Sequence, residues 1–528
     1  MNVNEFTSLY LSKDKISVSS LITAYLQLNP SAHPLSNKPF YCESGTEYFL
    51  HRLPSEIIKT QNIILIGNTN LLQKYKNNKE YIPMQCRKRK RVYFFNESKA
   101  ELIVGINSVT DIHDLVSILT GLLVEIKKIK KREVLDTKQF SDSHIEFLRK
   151  LFKDTLPIEL LKILSKIEDF KIHFIDCDEN QFQNRAALWG NFLIQQLKTQ
   201  NIDIDRSNFY IIMSNSHSII NPLSPFIRQY EKEILEWGQS QSRFYQLYEG
   251  LKTNSFWKND CLYFMLRDFV SQHSDIQKEI DQINLKNGIH EFIDETYNGP
   301  SFHCIDLSKI NTKYNDERIF DSAIESKDDT SNYVINIDFT MGGYQAKYVL
   351  QNVLKLIKNI KGIYIIGKAG SLEGNVGDII LPDFNFNPYN NKLTFFKNDF
   401  KAKYIRRYLR RYKIYESHGM LTVLGVLLQN HDLLKYYYTQ NFTGIEMECG
   451  PYLEAIMDIS RDSIENSSTL MLKNSFDFGL AYYISDTPYH QGKTLGTLGF
   501  SGVESVYATS ISLINRILIK SYSKEIHI

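Results

Sequence analysis

The stretch YVINIDFTMGGYQAKYVLQNVLKLIKNIKGIYIIGKAGSL, residues 333–372, decides the fold. Tyr333 to Phe339 is an apolar run of strand length, and Met341-Gly342-Gly343 is a turn. Gln345 to Lys358 then places apolar residues at helical spacing, and Gly362 to Ile366 is a second apolar run, ending in Gly367-Lys368-Ala369-Gly370. Strand, glycine turn, helix and strand in this order imply a parallel pair in an α/β sheet. Ligands of such sheets bind beyond the carboxyl ends of the strands. Gly342, Gly343 and the turn Gly367 to Gly370 sit at those ends and mark a candidate site.

Upstream, Asn62 to Gly67, Arg91 to Phe95 and Glu101 to Gly105 read as strands. Asp111 to Lys131 reads as a helix with Asp111 as its N-cap and lysines in the last turn, where they suit the helix dipole. Helical patterns follow at 144–152, 157–167, 185–198, 225–237 and 261–283, interrupted by one strand at 209–213. The polar stretch Asn311 to Ser331 is the expected boundary before the last α/β region. The expected divisions are an N-terminal α/β region at 1–140, a mainly helical region at 141–299 and a final domain at 300–528.

The chain has 528 residues, long enough for two or three cores. With 62 Lys+Arg against 60 Asp+Glu, no overall charge directs it to nucleic acid or to a membrane surface. No apolar run is long enough to span a bilayer, and the first residues lack the pattern of a secretory signal. Six cysteines without CxxC spacing argue against a disulfide framework and against zinc, so a reducing, cytoplasmic setting without metal is expected.

Two further patterns carry chemistry. In Gly444-Ile445-Glu446-Met447-Glu448-Cys449-Gly450-Pro451, two carboxylates flank a methionine at a strand-to-helix junction and are expected to point to opposite sides. One can accept hydrogen bonds from a cis-diol while the other is structural or solvated. In Tyr482-Tyr483-Ile484-Ser485-Asp486-Thr487-Pro488, an apolar strand ends in an acid able to hold or deliver a proton.

The glycine turn with Val376-Gly377-Asp378-Ile379-Ile380-Leu381-Pro382 after it, the Glu-Met-Glu strand end and the Ser-Asp strand end together resemble the nucleoside phosphorylase/nucleosidase superfamily. The spelling Gly-Lys-Ala-Gly and Ser-Asp-x-Pro is most similar to its AMP nucleosidase branch. The resemblance covers roughly the last 200 residues. It implies a phosphorylase-like three-layer α/β domain with a central mixed sheet, preceded by a mixed α/β to mainly helical N-terminal region. It also implies roles. Asp486 would protonate N7 of a purine, Glu448 would hold the ribose hydroxyls and Met447 would pack on the sugar. Gly342, Gly343, Lys368, Ala369, Gly370, Glu446 and Ser485 would line the rest of the site.

The activity so implied is cleavage of the N-glycosidic bond of a purine nucleoside or nucleotide, without a cofactor. The phosphate loop of the phosphorylases, Gly-Asp-Pro-x-Arg, has no match, which favours water as nucleophile. Phosphate as co-substrate is the alternative, and a non-catalytic nucleotide sensor is the third reading. The resemblance also implies a homo-oligomer. Arg406, Arg407, Arg410 and Arg411 could meet a 5′-phosphate or form a solvated or oligomer-facing helix, the more frequent role of such a cluster. The runs 87–91 and 127–132 suggest a local basic surface, and His113, His418 and His490 are possible pocket or carboxylate partners.

Overall fold

The computed structural model describes residues 3–86, 91–132, 136–153, 155–251, 255–320, 331–339, 342–459, 464–466, 469–472, 475–489 and 502–522. Met341, His490, the basic residues 87–90 and parts of 311–331 and 460–474 lie outside them.

The described strands form two sheets. The first holds β1 (Lys15–Ser17), β2 (Asn62–Ile66), β3 (Ile82–Met84), β4 (Tyr93–Asn96), β5 (Glu101–Gly105) and β6 (Lys171–Ile175), in the order β1-β6-β2-β5-β4-β3. Its centre, β6-β2-β5, is parallel. Gly67 closes β2 because a Cβ there would lie 1.9 Å from the Asp176 carbonyl oxygen.

The second sheet holds twelve strands: β7 (Asn208–Ser214), β8 (Ile289–Phe292), β9 (Phe302–Asp306), β10 (Asn332–Asp338), β11 (Ile360–Ser371), β12 (Ile379–Asn387), β13 (Lys392–Phe395), β14 (Ile414–Thr422), β15 (Phe442–Glu446), β16 (Ile464–Asn466), β17 (Thr469–Met471) and β18 (Asp477–Asp486). On one face pack the helices Glu179–Thr199, Gly343–Leu356 and Cys449–Met457. On the other pack His217–Leu223 and Val503–Tyr522. The C-terminal region is therefore a three-layer α/β domain with a central mixed sheet.

Its topology corrects two expectations. β10 and β11 are parallel but not neighbours, because β7 lies between them and pairs with both. The sheet thus takes β7, and also β8 at 289–292, from the segment expected to be mainly helical, so no boundary of the sheet falls at residue 300. The polar stretch after 310 is likewise bridged, since β9 pairs antiparallel with β10 across it. The helices between β7 and β8 form a satellite with its own core, built on Phe226, Ile234, Phe244, Leu262, Met265 and Tyr507.

The long helix in the N-terminal unit is Val109–Lys130, buried along nearly its whole length. Ser108, not Asp111, is its N-cap, its side chain accepting from the Asp111 backbone N–H. Asp111 instead accepts from Arg91 Nε at 2.6 Å, and Asp114 accepts from Arg91 Nη2 at 2.6 Å. The last residue of the expected basic surface run is therefore internal. His113 is internal too, its Nδ1 2.8 Å from the Tyr10 hydroxyl, and burial pushes its pKa down to about 3.

The two sheets are joined by Arg185 from helix 179–199. Its guanidinium donates to the carbonyls of Gly67, Ile106 and Tyr297 and to Asn107 Oδ1, three of these at the carboxyl ends of β2 and β5. Removing one partner of a buried ion pair costs about 3–5 kcal/mol. Arg91→Ala, which strands Asp111 and Asp114 in the interior, is therefore expected to lower stability by about that amount, read as a shifted urea midpoint.

Candidate functional site

Four strands, β7, β10, β11 and β18, run parallel or nearly so and present their carboxyl ends to the same side. There β11 outruns its neighbours, so Gly367 to Gly370, expected as a turn, is the last part of the strand and pairs with β18. At Gly370 it is in register with Asp486 of β18 on one side and with Ile445 of β15 on the other. Two strand spacings, about 10 Å, separate those partners across the glycine.

A bulge sets the direction of Asp486. Ala369 pairs with Ile484 but Gly370 pairs with Asp486, so Ser485 is the extra residue. Without it Asp486 would face the layer of helices 343–356 and 449–457, where Tyr482 and Ile484 pack. With it, Asp486 shares the face of Gly370 and Lys368, and its Oδ2 lies 3.1 Å from where a Gly370 Cβ would stand. A side chain at 370 would crowd the acid, and it is this close approach, not a positive φ, that favours glycine here.

Asp486 is only 4% exposed. Burial pushes its carboxyl up to about 7, opposed by a hydrogen bond from Ser485 Oγ (2.8 Å) and by the charges of Arg52 and Lys368. Lys368, on the same face, is exposed, but protein around it displaces part of its water. That crowding lowers its ammonium, Arg267 lowers it further, and Asp486 opposes both.

The two acids of the Glu-Met-Glu strand end divide because β15 ends at Glu446, while Glu448 takes αR backbone angles at the start of helix 449–457; on a continued strand, residues two apart would have shared a face. Glu446 is structural: it accepts from the backbone N–H groups of Glu448 and Cys449, at the start of helix 449–457, and from Thr422 Oγ1 at 2.9 Å. Burial pushes it up to about 7. Glu448 is buried at 9% exposure, with Oε2 accepting from the Met447 N–H at 3.2 Å. Met447 is tied to the other glycine turn, since a Cβ on Gly343 would lie 1.9 Å from its carbonyl oxygen. Gly342 has a φ of 86° and faces Ser108 and Thr110 at the start of the long N-terminal helix. The N-terminal unit therefore abuts the site directly.

Sequence reading missed the loop after β7 and its partner at the end of β10. Ser216 Oγ donates to Asp338 Oδ1 at 3.2 Å, and Asn215 Nδ2 donates to the Tyr483 hydroxyl at 3.0 Å. The strand before this loop is legible, but nothing in its residues says that it belongs to this sheet. Arg267, on helix Ser255–Gln272, was missed for the same reason.

Other candidates lie elsewhere. Arg411 pairs with Glu504 at 2.9 Å, and Arg410 and Arg411 both lie over the Trp257 ring, so this part of the basic cluster anchors helix 503–522 and the satellite. His418 sits on β14, its Nδ1 2.6 Å from Thr443 Oγ1. Among the described residues no group of three or more His, Cys, Asp or Glu could hold a metal, and no helix is long and apolar enough to cross a membrane.

The chain belongs to DUF6909, a family of unknown function, whose model matches residues 18–134 and 130–519. No curated protein matches it. Among solved structures it is similar to a methylthioadenosine phosphorylase from an Antarctic soil metagenomic library (9% identity, TM-score 0.33), covering 60% of this chain and 88% of that one. It is also similar to a 5′-methylthioadenosine/S-adenosylhomocysteine nucleosidase from Colwellia psychrerythraea 34H, in complex with adenine (10%, TM-score 0.31; 61% and 98%). A third is uridine phosphorylase from Schistosoma mansoni, in complex with thymidine (10%, TM-score 0.32; 60% and 89%).

Two outcomes check this geometry. Gly343→Ala is expected to displace Met447 and lower the melting temperature, because the clash is with backbone. The raised pKa of Asp486 means that the native state binds a proton more tightly than the unfolded chain. That contribution is complete below the ordinary carboxylate range and is lost as pH rises through about 7. Asp486→Asn is therefore expected to melt progressively higher than the parent between about pH 4 and pH 8, and a constant difference would contradict the buried acid.

Proposed function

We propose that the protein cleaves the N-glycosidic bond of a purine nucleoside or nucleotide, with water as nucleophile. The observation that carries this reading is Asp486, a buried carboxyl at the carboxyl end of the sheet with its pKa pushed up to about 7. Such a group is still partly protonated near neutrality and is a competent general acid.

Breaking this bond develops negative charge on the base and positive charge on the sugar. A proton delivered at N7 of the base stabilises the first, and a carboxylate near the sugar stabilises the second. Asp486 is assigned the acid and Glu448 the sugar hydroxyls, with Met447 against the ribose. Ser485 is a positioning residue, donating to Asp486 Oδ1. Lys368 and Gly370, with the backbone of Ala369, are assigned the β11 side of the site, and Gly342 and Gly343 the opposite wall. Glu446 acts through the backbone it holds rather than by touching substrate.

The test is free-base release by the full chain from AMP, adenosine, inosine, guanosine and methylthioadenosine, each with and without phosphate. Release without phosphate is expected. Dependence on phosphate with ribose 1-phosphate as product would make the protein a phosphorylase, and binding without release would make it a sensor. Asp486→Asn is expected to lower kcat by about 10²–10⁴-fold. Because the acid must be protonated, kcat is expected to fall as pH rises through about 7.

A further inference from the structure

Beyond the acid, the same face of the sheet carries a polar track. Register places Lys368 on β11, then Ser214 and Asp338 at the ends of β7 and β10, then Asn336, His303 of β9 and Glu291 of β8. Ser214 Oγ donates to Asn336 Oδ1 at 2.8 Å, and Asn336 Nδ2 donates to the Ser216 carbonyl. From Asp486 on β18 to His303 on β9 is four strand spacings, about 19 Å.

Over the far end of this track lies a cavity of about 650 Å³. Its walls include Ile220, Phe226, Leu266, Val270, Ile280 and Phe292, contributed by the satellite helices, helix 217–223 and β8. Polar side chains, among them Ser216, Asn221, Gln277, Asp281 and Glu291, alternate with these apolar ones, and cavities of a few hundred Å³ are typical of small-ligand sites. Two polar features give this one a chemistry. His303 is buried, and its Nδ1 has no hydrogen-bond partner, while its Nε2 faces Glu291 Oε1 at 3.8 Å. Burial pushes this imidazole down to about 4, so it is neutral and keeps one ring nitrogen as an acceptor. Arg267 also lines the cavity and is close enough to repel Lys368, so an anion between them would relieve like charges. Arg267 is exposed; its Nε and Nη2 donate to its neighbour Asp268, at 3.0 and 2.9 Å, and its guanidinium lies over the Phe264 ring.

We infer that the ligand of this face is a purine nucleotide extended through its phosphates to a second heteroaromatic group, a dinucleotide rather than a simple nucleoside. The glycosidic bond lies at Asp486, the phosphates at Lys368 and Arg267, and the second ring in the cavity, with an N–H directed to His303. The Asp486 end rests on the cleavage reading above. The cavity end rests on the cavity, the unpartnered imidazole and the paired cations.

The experiment measures binding to the full chain by calorimetry, with NAD+, AMP and adenosine as probes, alongside base release from each. The parent protein is expected to bind NAD+ about tenfold or more tighter than AMP, and AMP tighter than adenosine. Val270→Trp, which fills the cavity, is expected to bring the NAD+ to AMP ratio close to one. Arg267→Gln, an exposed change that spares the fold, is expected to bring both phosphate-bearing ligands toward adenosine. Equal affinities in the parent, or an NAD+ preference that survives in both variants, overturns the inference. If NAD+ binds with this pattern and no base is released, the extended site stands and the cleavage reading falls. If AMP is cleaved and NAD+ binds no better, the reverse holds.

Discussion

The position of β7 between β10 and β11 is the constraint on which the rest of the C-terminal region depends. Seven residues, Asn208–Ser214, pair with Asn332–Asp338 on one side and with the start of β11 on the other. Their side chains feed both hydrophobic layers, with Phe209, Ile211 and Met213 on one face and Tyr210 and Ile212 on the other. A strand buried on both faces and both edges cannot be exchanged for solvent. It must also pair with partners more than a hundred residues later in the chain. Contacts of such separation slow folding, because loop closure precedes any gain from pairing.

Much of this architecture is legible in the residues. The alternation of apolar runs, glycine turns and helical spacing in 333–372 identifies β10, helix 343–356 and β11 to within a few residues. The strands at 62–66, 101–105 and 208–214 follow from the same short apolar runs. What the residues cannot carry is the partner of each strand. β7 reads as an interruption among helices because pairing is a property of the distant chain. The same limit hid Ser216, Asp338 and Arg267, whose significance lies only in what they face. The division of labour between Glu446 and Glu448 was half legible: a strand-to-helix junction can be read there, but residues two apart on a strand share a face, and the residue at which the strand breaks is not written in the sequence. Asp111 illustrates local ambiguity. An acid at a helix start suits the dipole whether it caps or not, and here Ser108 caps while Asp111 answers Arg91.

The N-terminal unit is built into the C-terminal one. Arg185 reaches from the second sheet's helix layer to the strand ends of the first and is held there largely by carbonyl oxygens. The long helix 109–130 meets the turn at Gly342, and Tyr344 N–H donates to Thr110 Oγ1 at 3.4 Å. Tyr348, Leu427 and Leu428 belong to the N-terminal core rather than to their own. Any strain in the first sheet is thereby transmitted to the walls of the candidate site through backbone, without an intervening linker.

The bulge at Ser485 has an evolutionary corollary. Side chains on a strand alternate, so the insertion or loss of one residue reverses the facing of everything beyond it. A deletion of Ser485 would leave β18 as apolar and as well paired as before, yet would turn the acid into the opposite layer. The difference between a chemically equipped relative and an inert one could therefore be a single codon, invisible to any comparison of composition and conspicuous only in the count of residues between Tyr482 and the acid.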